Sequence, residues 1–433
     1  MAFCWFGQFL FPICHVHFKE WLLSRRGGAI MELARCRGLA AAIVLFVTGT
    51  AFASETPTQT QRVQKALDAW LAERSPVEGV TGIAAYVSLG ASGPNIEAFA
   101  GKTGRADDDP PVDQNTLFAM GSTSKSFAAA VILKLEAQGL LSIDDTVGKW
   151  LPQYPAWGSV SIRRLLDMTS GIPNYSETEF ISRSWVEQPK RDLTAEELID
   201  AAYPNGSNKL PVTEGYHYSN TNYILAGLIA AKVTGRPYQE LVRELIIQPH
   251  GLHSTFYSPG TYPPEVITRL AHGYFENTAC AEYQPTDCKE SWNKPMIGRD
   301  VREDSTSWAQ AAGGAISNAR DVTRWMRAVF EGRVVPPKQQ AEWMSMVSTK
   351  TGEPITEIRE EHPQGFALGL VQGMIPGGPA WFYQGMTLGY RTLYVWYAKD
   401  GILITVQTNS QPNDEANKLS EAAEAIHAAI KTP

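Results

Sequence analysis

Residues 117–127 read Leu-Phe-Ala-Met-Gly-Ser-Thr-Ser-Lys-Ser-Phe and lead into an apolar run that ends at Gly139. Phe127, Val131 and Leu135 recur every four residues, and Ile132 and Leu133 widen the face. The spacing predicts a buried helix with its cap at Gly139. At its start Ser122 precedes Lys125 by three residues, so one helical turn puts a hydroxyl and an amine on the same side. The unpaired N–H groups of a helix N-terminus would face any oxyanion forming there. This layout suits a serine nucleophile whose proton passes to an amine. The competing reading is an N-capping serine beside a solvated lysine. A second Ser-x-x-Lys, Ser291 to Lys294, runs directly into Pro295 in a stretch without helical period, so its two side chains need not share a face.

The first 53 residues have the pattern of an address. Arg35 and Arg37 precede the apolar run 39–47, and Ala51-Phe52-Ala53 offers a small-x-small cleavage site before Ser54. The expectation is a signal peptide starting at Met31 and cleaved after Ala53, with residues 1–30 an upstream misread start. An apolar anchor over 3–18 is too short to span a bilayer comfortably. Removing the leader leaves 33 basic against 43 acidic residues and no basic run. That balance gives no hint of nucleic acid as a partner; a small-molecule or peptide substrate is expected only from the motifs below. The exported chain is expected to be periplasmic or secreted, with no stable membrane span; its oligomeric state is left open. Cys280 and Cys288 survive cleavage with seven residues between them. An oxidising compartment predicts a disulfide between them, closing a surface loop. Metal-type cysteine and histidine spacing is absent, so neither a metal nor another cofactor is expected.

Along the mature chain, apolar periodicity predicts a helix over 58–74 stopped by Ser75-Pro76, and strands over 80–89 and 95–100. Helical patterns follow over 162–168, over 194–203 with a Thr194-x-x-Glu197 capping box, and over 223–233, which is apolar enough to be buried throughout. Tyr218-Ser219-Asn220 stands on a loop just before that last helix. A second Tyr-x-Asn, Tyr203 to Asn205, reads as a turn. Residues 309–319 are small and glycine-rich, which allows close backbone packing near a cleft. After a helix over 321–330 come strands over 381–384, 392–398 and 402–408, then a helix over 413–431. The pattern predicts an α+β protein: 54–117 and 308–433 form an α/β domain, and 118–307 a mostly helical domain inserted into it.

These motifs together resemble the penicillin-recognising serine hydrolases: class C β-lactamases, D-alanyl-D-alanine carboxypeptidases, D-aminopeptidases and β-lactamase-like carboxylesterases. The resemblance rests on the 118–127 motif and its continuation to Trp150-Leu151-Pro152, on Leu165-Leu166-x-Met168-Thr169-Ser170-Gly171-Ile172, and on Tyr218 to Tyr223. It extends through Gly235 to Tyr238, Pro249 to Leu252, and Gly313 to Ser317, covering most of residues 60–410. It implies a β-lactamase/transpeptidase-like fold, an antiparallel sheet flanked by helices, with the active site between the sheet and the inserted helices. By residue, it implies Ser122 as the acylated nucleophile and Lys125 as the amine that helps take its proton. Tyr218 would be shuttle and base, and Asn220 would orient the substrate amide and Lys125.

The third motif of the family, Lys-Thr-Gly or His-x-Gly, corresponds here to Tyr383-Gln384-Gly385, followed by Met386. Gly385 would let substrate approach the strand edge, and the Met386 N–H would join that of Ser122 as an oxyanion hole. The cation is absent, which argues against class C β-lactamase activity as the main role. Arg391 either supplies that charge to the substrate or is a strand-edge arginine facing water. The implied function is an exported serine hydrolase acting through an acyl-enzyme on Ser122, of the D-alanyl-D-alanine carboxypeptidase or D-amino-acid-peptide type. A carboxylesterase on the same scaffold and a catalytically silent binding protein are the alternatives. A Ser-His-Asp esterase is disfavoured because Gly-x-Ser-x-Gly does not occur in the chain.

Overall fold

The computed structural model describes residues 57–90, 93–204, 214–278, 293–376 and 378–432. The expected leader over 1–53 and the expected Cys280–Cys288 disulfide lie outside them, as do Asn205 and Ser291. No described helix is long and apolar enough to cross a membrane.

The principal helices are α1 (Gln59–Glu78), α2 (Lys125–Ala137), α3 (Asn220–Thr234), α4 (Ala319–Phe330), α5 (Pro337–Trp343) and α6 (Leu419–Lys431). Among the described residues the main sheet has nine antiparallel strands. They are β1 (Gly82–Ser88), β2 (Ile96–Gly101), β3 (Met346–Ser348), β4 (Pro354–Ile355), β5 (Gln364–Phe366), β6 (Val371–Ile375), β7 (Gly378–Met386), β8 (Arg391–Tyr397) and β9 (Ile402–Thr408). Their order across the sheet is β2-β1-β9-β8-β7-β6-β5-β3-β4. All nine come from residues 82–101 and 346–408.

Side-chain alternation along the strands builds a core on each face. On one face Leu393, Val395, Ile404 and Val406 pack against Val63 and Leu67 of α1 and Leu419, Ala423 and Ile426 of α6. On the other, Tyr383, Tyr394 and Leu403 join the core of α2 and α3. The 127–135 periodicity is realised: Phe127, Val131, Ile132, Leu133 and Leu135 are all buried. The catalytic-type motif therefore starts a helix anchored from every side.

Boundaries differ from expectation at several elements, three helix ends among them. Helix α1 runs through Pro76 to Glu78, where Gly79, in the left-handed region, closes it with an N–H bond to Ser75 O. A proline in the last turn removes one helical bond, and the ion pairs of Glu78 described below hold the turn in place. Helix α3 begins at Asn220, so Tyr218 lies just outside it. Helix α6 begins only at Leu419, because Ser410–Pro412 pairs in parallel with Tyr274–Glu276 and Asn413 turns the chain by accepting from Ala416 N.

Candidate active site

Ser122 lies on a 3-10 turn, Gly121–Ser124, that runs directly into α2. The turn is possible because Gly121 has φ +54°, and because a Cβ there would sit 2.6 Å from Met386 N and 2.7 Å from Met386 O. From the opposite side, a Cβ on Gly385 would fall 2.0 Å from Met120 O and 2.7 Å from Ser122 N. Two glycines thus let β7 and the Ser122 turn meet backbone to backbone. The space freed at Gly385 is filled by the protein's own Ser122 turn, not left for substrate as the sequence suggested. Thr387 N donates to Tyr390 O across the β7–β8 pair. Antiparallel alternation therefore directs the N–H of Met386 away from β8, toward the Ser122 side.

Four side chains converge on this turn. Ser122 Oγ is 2.6 Å from Tyr218 Oη and 3.1 Å from Lys125 Nζ. Lys125 Nζ also donates to Asn220 Oδ1 at 2.7 Å and to the carbonyl of Ala312 at 2.7 Å. Tyr383 Oη donates to Tyr218 Oη at 3.3 Å. The Lys125 ammonium position lies 4.8 Å from the centre of the Tyr218 ring.

Burial sets the protonation states. Lys125 is completely buried, and desolvation pulls its pKa well below that of an ordinary lysine. Desolvation pushes Tyr218 up to about 12, despite the opposing hydrogen bonds from Ser122 and Tyr383. Tyr383 is also driven well above the usual tyrosine value by burial. At neutral pH both phenols therefore keep their protons. Nζ has three oxygen partners, as many as an ammonium can serve; in the neutral form that burial favours, its two short bonds to pure acceptors use both hydrogens and leave the lone pair toward the Ser122 hydroxyl. The site can then be written as one directed chain: Tyr383 O–H to Tyr218, Tyr218 O–H to Ser122, Ser122 O–H to Lys125.

Asn220 is itself held. Its Nδ2 donates to Ser176 Oγ at 3.0 Å, Ser176 Oγ donates to Asn174 Oδ1 at 2.9 Å, and Asn220 N donates to that same oxygen at 3.0 Å. Asn174, Ser176 and the Ala312 carbonyl were not singled out from the sequence. The signal for Asn174 was its place before a turn, where an Asx side chain folds back on the backbone. The signal for Ala312 was the glycine-rich 309–319 stretch.

Arg391 corrects both sequence readings of it. It is fully buried, so it does not face water, and it pairs with Glu78 Oε2 at 2.6 Å. It also donates to Ser410 O at 2.8 Å, Ser410 Oγ at 3.0 Å and Asn417 Oδ1 at 2.7 Å. On β8 it has the parity of Leu393, Val395 and Tyr397, which face α1 and α6. Tyr394 and its cross-strand partner Tyr383 have the parity of the active-site face. Arg391 is therefore on the wrong side of the sheet to meet a substrate at Ser122. Met386 shares that parity, so its side chain points away from Ser122, and its sulfur meets Asn417 Nδ2 at 3.8 Å.

Comparison with known proteins agrees with this architecture. The Beta-lactamase family model matches residues 72–429. Penicillin-binding protein 4* of Bacillus subtilis is 28% identical over 318 residues, 73% of this chain and 66% of that protein, so the chain spans slightly less than two thirds of that relative. Among solved structures, a D-stereospecific amidohydrolase from Streptomyces sp. superposes with a TM-score of 0.67 at 27% identity, covering 85% of this chain and 98% of that one. The D-amino acid amidase from Ochrobactrum anthropi SV3, complexed with L-phenylalanine amide, gives a TM-score of 0.67 at 25% identity, covering 86% and 98%. The chain belongs to the Beta-lactamase family, the penicillin-recognising serine hydrolases.

Proposed function

We propose that this chain is an exported amidohydrolase that forms an acyl-enzyme on Ser122, and that it acts on D-amino-acid amides or peptides whose leaving group carries no carboxylate. The observation that carries the reading is the neutral Tyr383 hydroxyl, 3.3 Å from Tyr218, at the place where the family motif has a cation. Arg391, the other candidate for that charge, is held by Glu78 on the opposite face of the sheet. The arrangement around Ser122 supports an acylation relay, while position 383 offers no charge to a terminal carboxylate, and this moves the reading away from a carboxypeptidase. The names of the two structural neighbours support an amide substrate with a D-configured acyl part. Export rests on the Arg35-to-Ala53 leader pattern.

In the proposed reaction Ser122 Oγ attacks the substrate carbonyl carbon while its proton passes to the lone pair of Lys125 Nζ. The oxyanion is taken by the N–H groups of Ser122 and Met386. The C–N bond breaks as Tyr218 gives its proton to the leaving amine, and the resulting phenolate then takes the proton held on Lys125 Nζ, which lies 4.8 Å from the centre of its ring. Water then attacks the ester carbonyl by the reverse relay, releasing the acid and restoring Ser122. Asn220 holds Lys125 throughout.

The test compares three substrates on residues 54–433: D-alanyl-D-alanine amide, the same dipeptide with a free carboxylate, and a p-nitrophenyl ester. The proposal expects the amide to exceed the free acid in kcat/KM by about tenfold or more, the order of a lost charged hydrogen bond. Equal or better turnover of the free acid would restore the carboxypeptidase reading. Ester turnover with neither peptide cleaved would replace the proposal with a carboxylesterase.

A further inference from the structure

The segment carrying Tyr218 is clamped along its length by residues 166–176. Tyr223 Oη donates to Leu166 O at 2.7 Å, and Ser170 Oγ donates to Asn222 Oδ1 at 2.7 Å. Ser219 Oγ and Thr221 Oγ1 both donate to Pro173 O, at 3.1 and 2.6 Å. Within this clamp one residue takes the backbone N–H groups on both sides of Tyr218. The carbonyl of Met168 accepts from His217 N at 2.8 Å, and its sulfur accepts from Ser219 N at 3.3 Å. The same sulfur receives Asn222 Nδ2 at 3.5 Å.

Met168 does this at a cost. It has φ +65°, a backbone region that side chains other than glycine and asparagine rarely adopt. Its thioether is a weak acceptor used where buried N–H groups ordinarily meet oxygen. Packing alone does not require either feature, since a leucine would fill a similar volume. The left-handed backbone is what allows a single residue to present both its carbonyl oxygen and its sulfur to the same neighbouring segment. Strain kept beside a reactive group is a mark of positioning.

We infer that Met168 is a positioning residue for Tyr218: by holding His217 N and Ser219 N it fixes the phenol at hydrogen-bonding distance from Ser122. This rests on the proton-transfer role proposed above for Tyr218. A tyrosine that must serve the serine and then the leaving group tolerates little displacement, and misplacements near 1 Å cost up to about a hundredfold in rate.

The test uses two variants of the same chain. Met168→Leu keeps the volume and removes the acceptor; Met168→Gln keeps the length and offers a carbonyl oxygen to Ser219 N. With the best substrate of the series above, Met168→Leu is expected to lose about tenfold or more in kcat with KM unchanged, and Met168→Gln to recover most of it. A wild-type kcat in Met168→Leu, or equal loss in both variants, overturns the inference. If the leucine variant does not fold, the glutamine variant decides: near-wild-type kcat supports the role, and a loss of about tenfold or more refutes it. Ser122→Ala is measured in parallel. Activity that survives it would refute the proposed function, whereas Ser122-dependent activity indifferent to Met168→Leu would refute only the role of Met168.

Discussion

Replacing Glu78 by Ala tests where Arg391 belongs. Both side chains of this pair are fully buried, 2.6 Å apart, and Glu78 is also bonded to Arg74 at 2.8 Å and to the backbone N–H of Lys418 at 3.1 Å. Arg391 keeps three neutral acceptors when Glu78 is lost, but its charge stays buried without a counter-ion. Breaking a buried pair from one side costs about 3–5 kcal/mol. Over the roughly 380 residues from Thr58 to Pro433, the entropy of unfolding is about 0.8 kcal/mol per degree. The expected drop in thermal midpoint is therefore about 4–6 °C by calorimetry. Because the pair lies on the α1–α6 face, KM at 25 °C should not move. A substantially raised KM for carboxylate-bearing substrates, with an unchanged midpoint, would refute the argument and return Arg391 to the substrate.

Asn220→Asp places a carboxylate 2.7 Å from Lys125 Nζ and so favours the ammonium form. A base must be unprotonated, so activity falls as pH drops through the depressed pKa of Lys125. The aspartate variant should shift that acidic limb of kcat/KM to higher pH, and an unmoved limb would argue that Lys125 is not the base. Gly121→Ala drives a Cβ to 2.6 Å from Met386 N at a φ of +54°. It should lower acylation by about tenfold or more while leaving far-UV circular dichroism unchanged, because it spoils the oxyanion geometry more than the fold. Wild-type acylation in that variant would mean that β7 and the Ser122 turn need not touch.

Much of the site was legible because the signal was local. Ser122 and Lys125 share a helix turn, and the apolar period from Phe127 to Leu135 announces burial, which is what depresses an amine. The placement of Tyr218 before a helix without a polar face was legible for the same reason. What escaped was set by contacts distant in sequence. Pro76 reads as a stop, yet α1 continues because Glu78 meets Arg391 more than three hundred residues away. Arg391 looked available because a strand sequence gives the parity of its side chains but not which face of the sheet holds the site. Gly385 was legible as a close approach, but the approaching group is the protein's own turn. Met168 appears in the sequence as one letter of a motif. Only the fold shows its oxygen and sulfur on either side of Tyr218.

The central claim is an acyl-enzyme on Ser122, and intact mass measures it directly. Residues 54–433 are exposed separately to a p-nitrophenyl ester, a D-amino-acid amide and a penicillin, then quenched in acid beside Ser122→Ala. The account predicts a single added acyl mass with at least one of the three, located by digestion to the peptide containing Ser122 and absent from the alanine variant. An adduct that persists in Ser122→Ala, or turnover of any of the three that does not depend on Ser122, would contradict it.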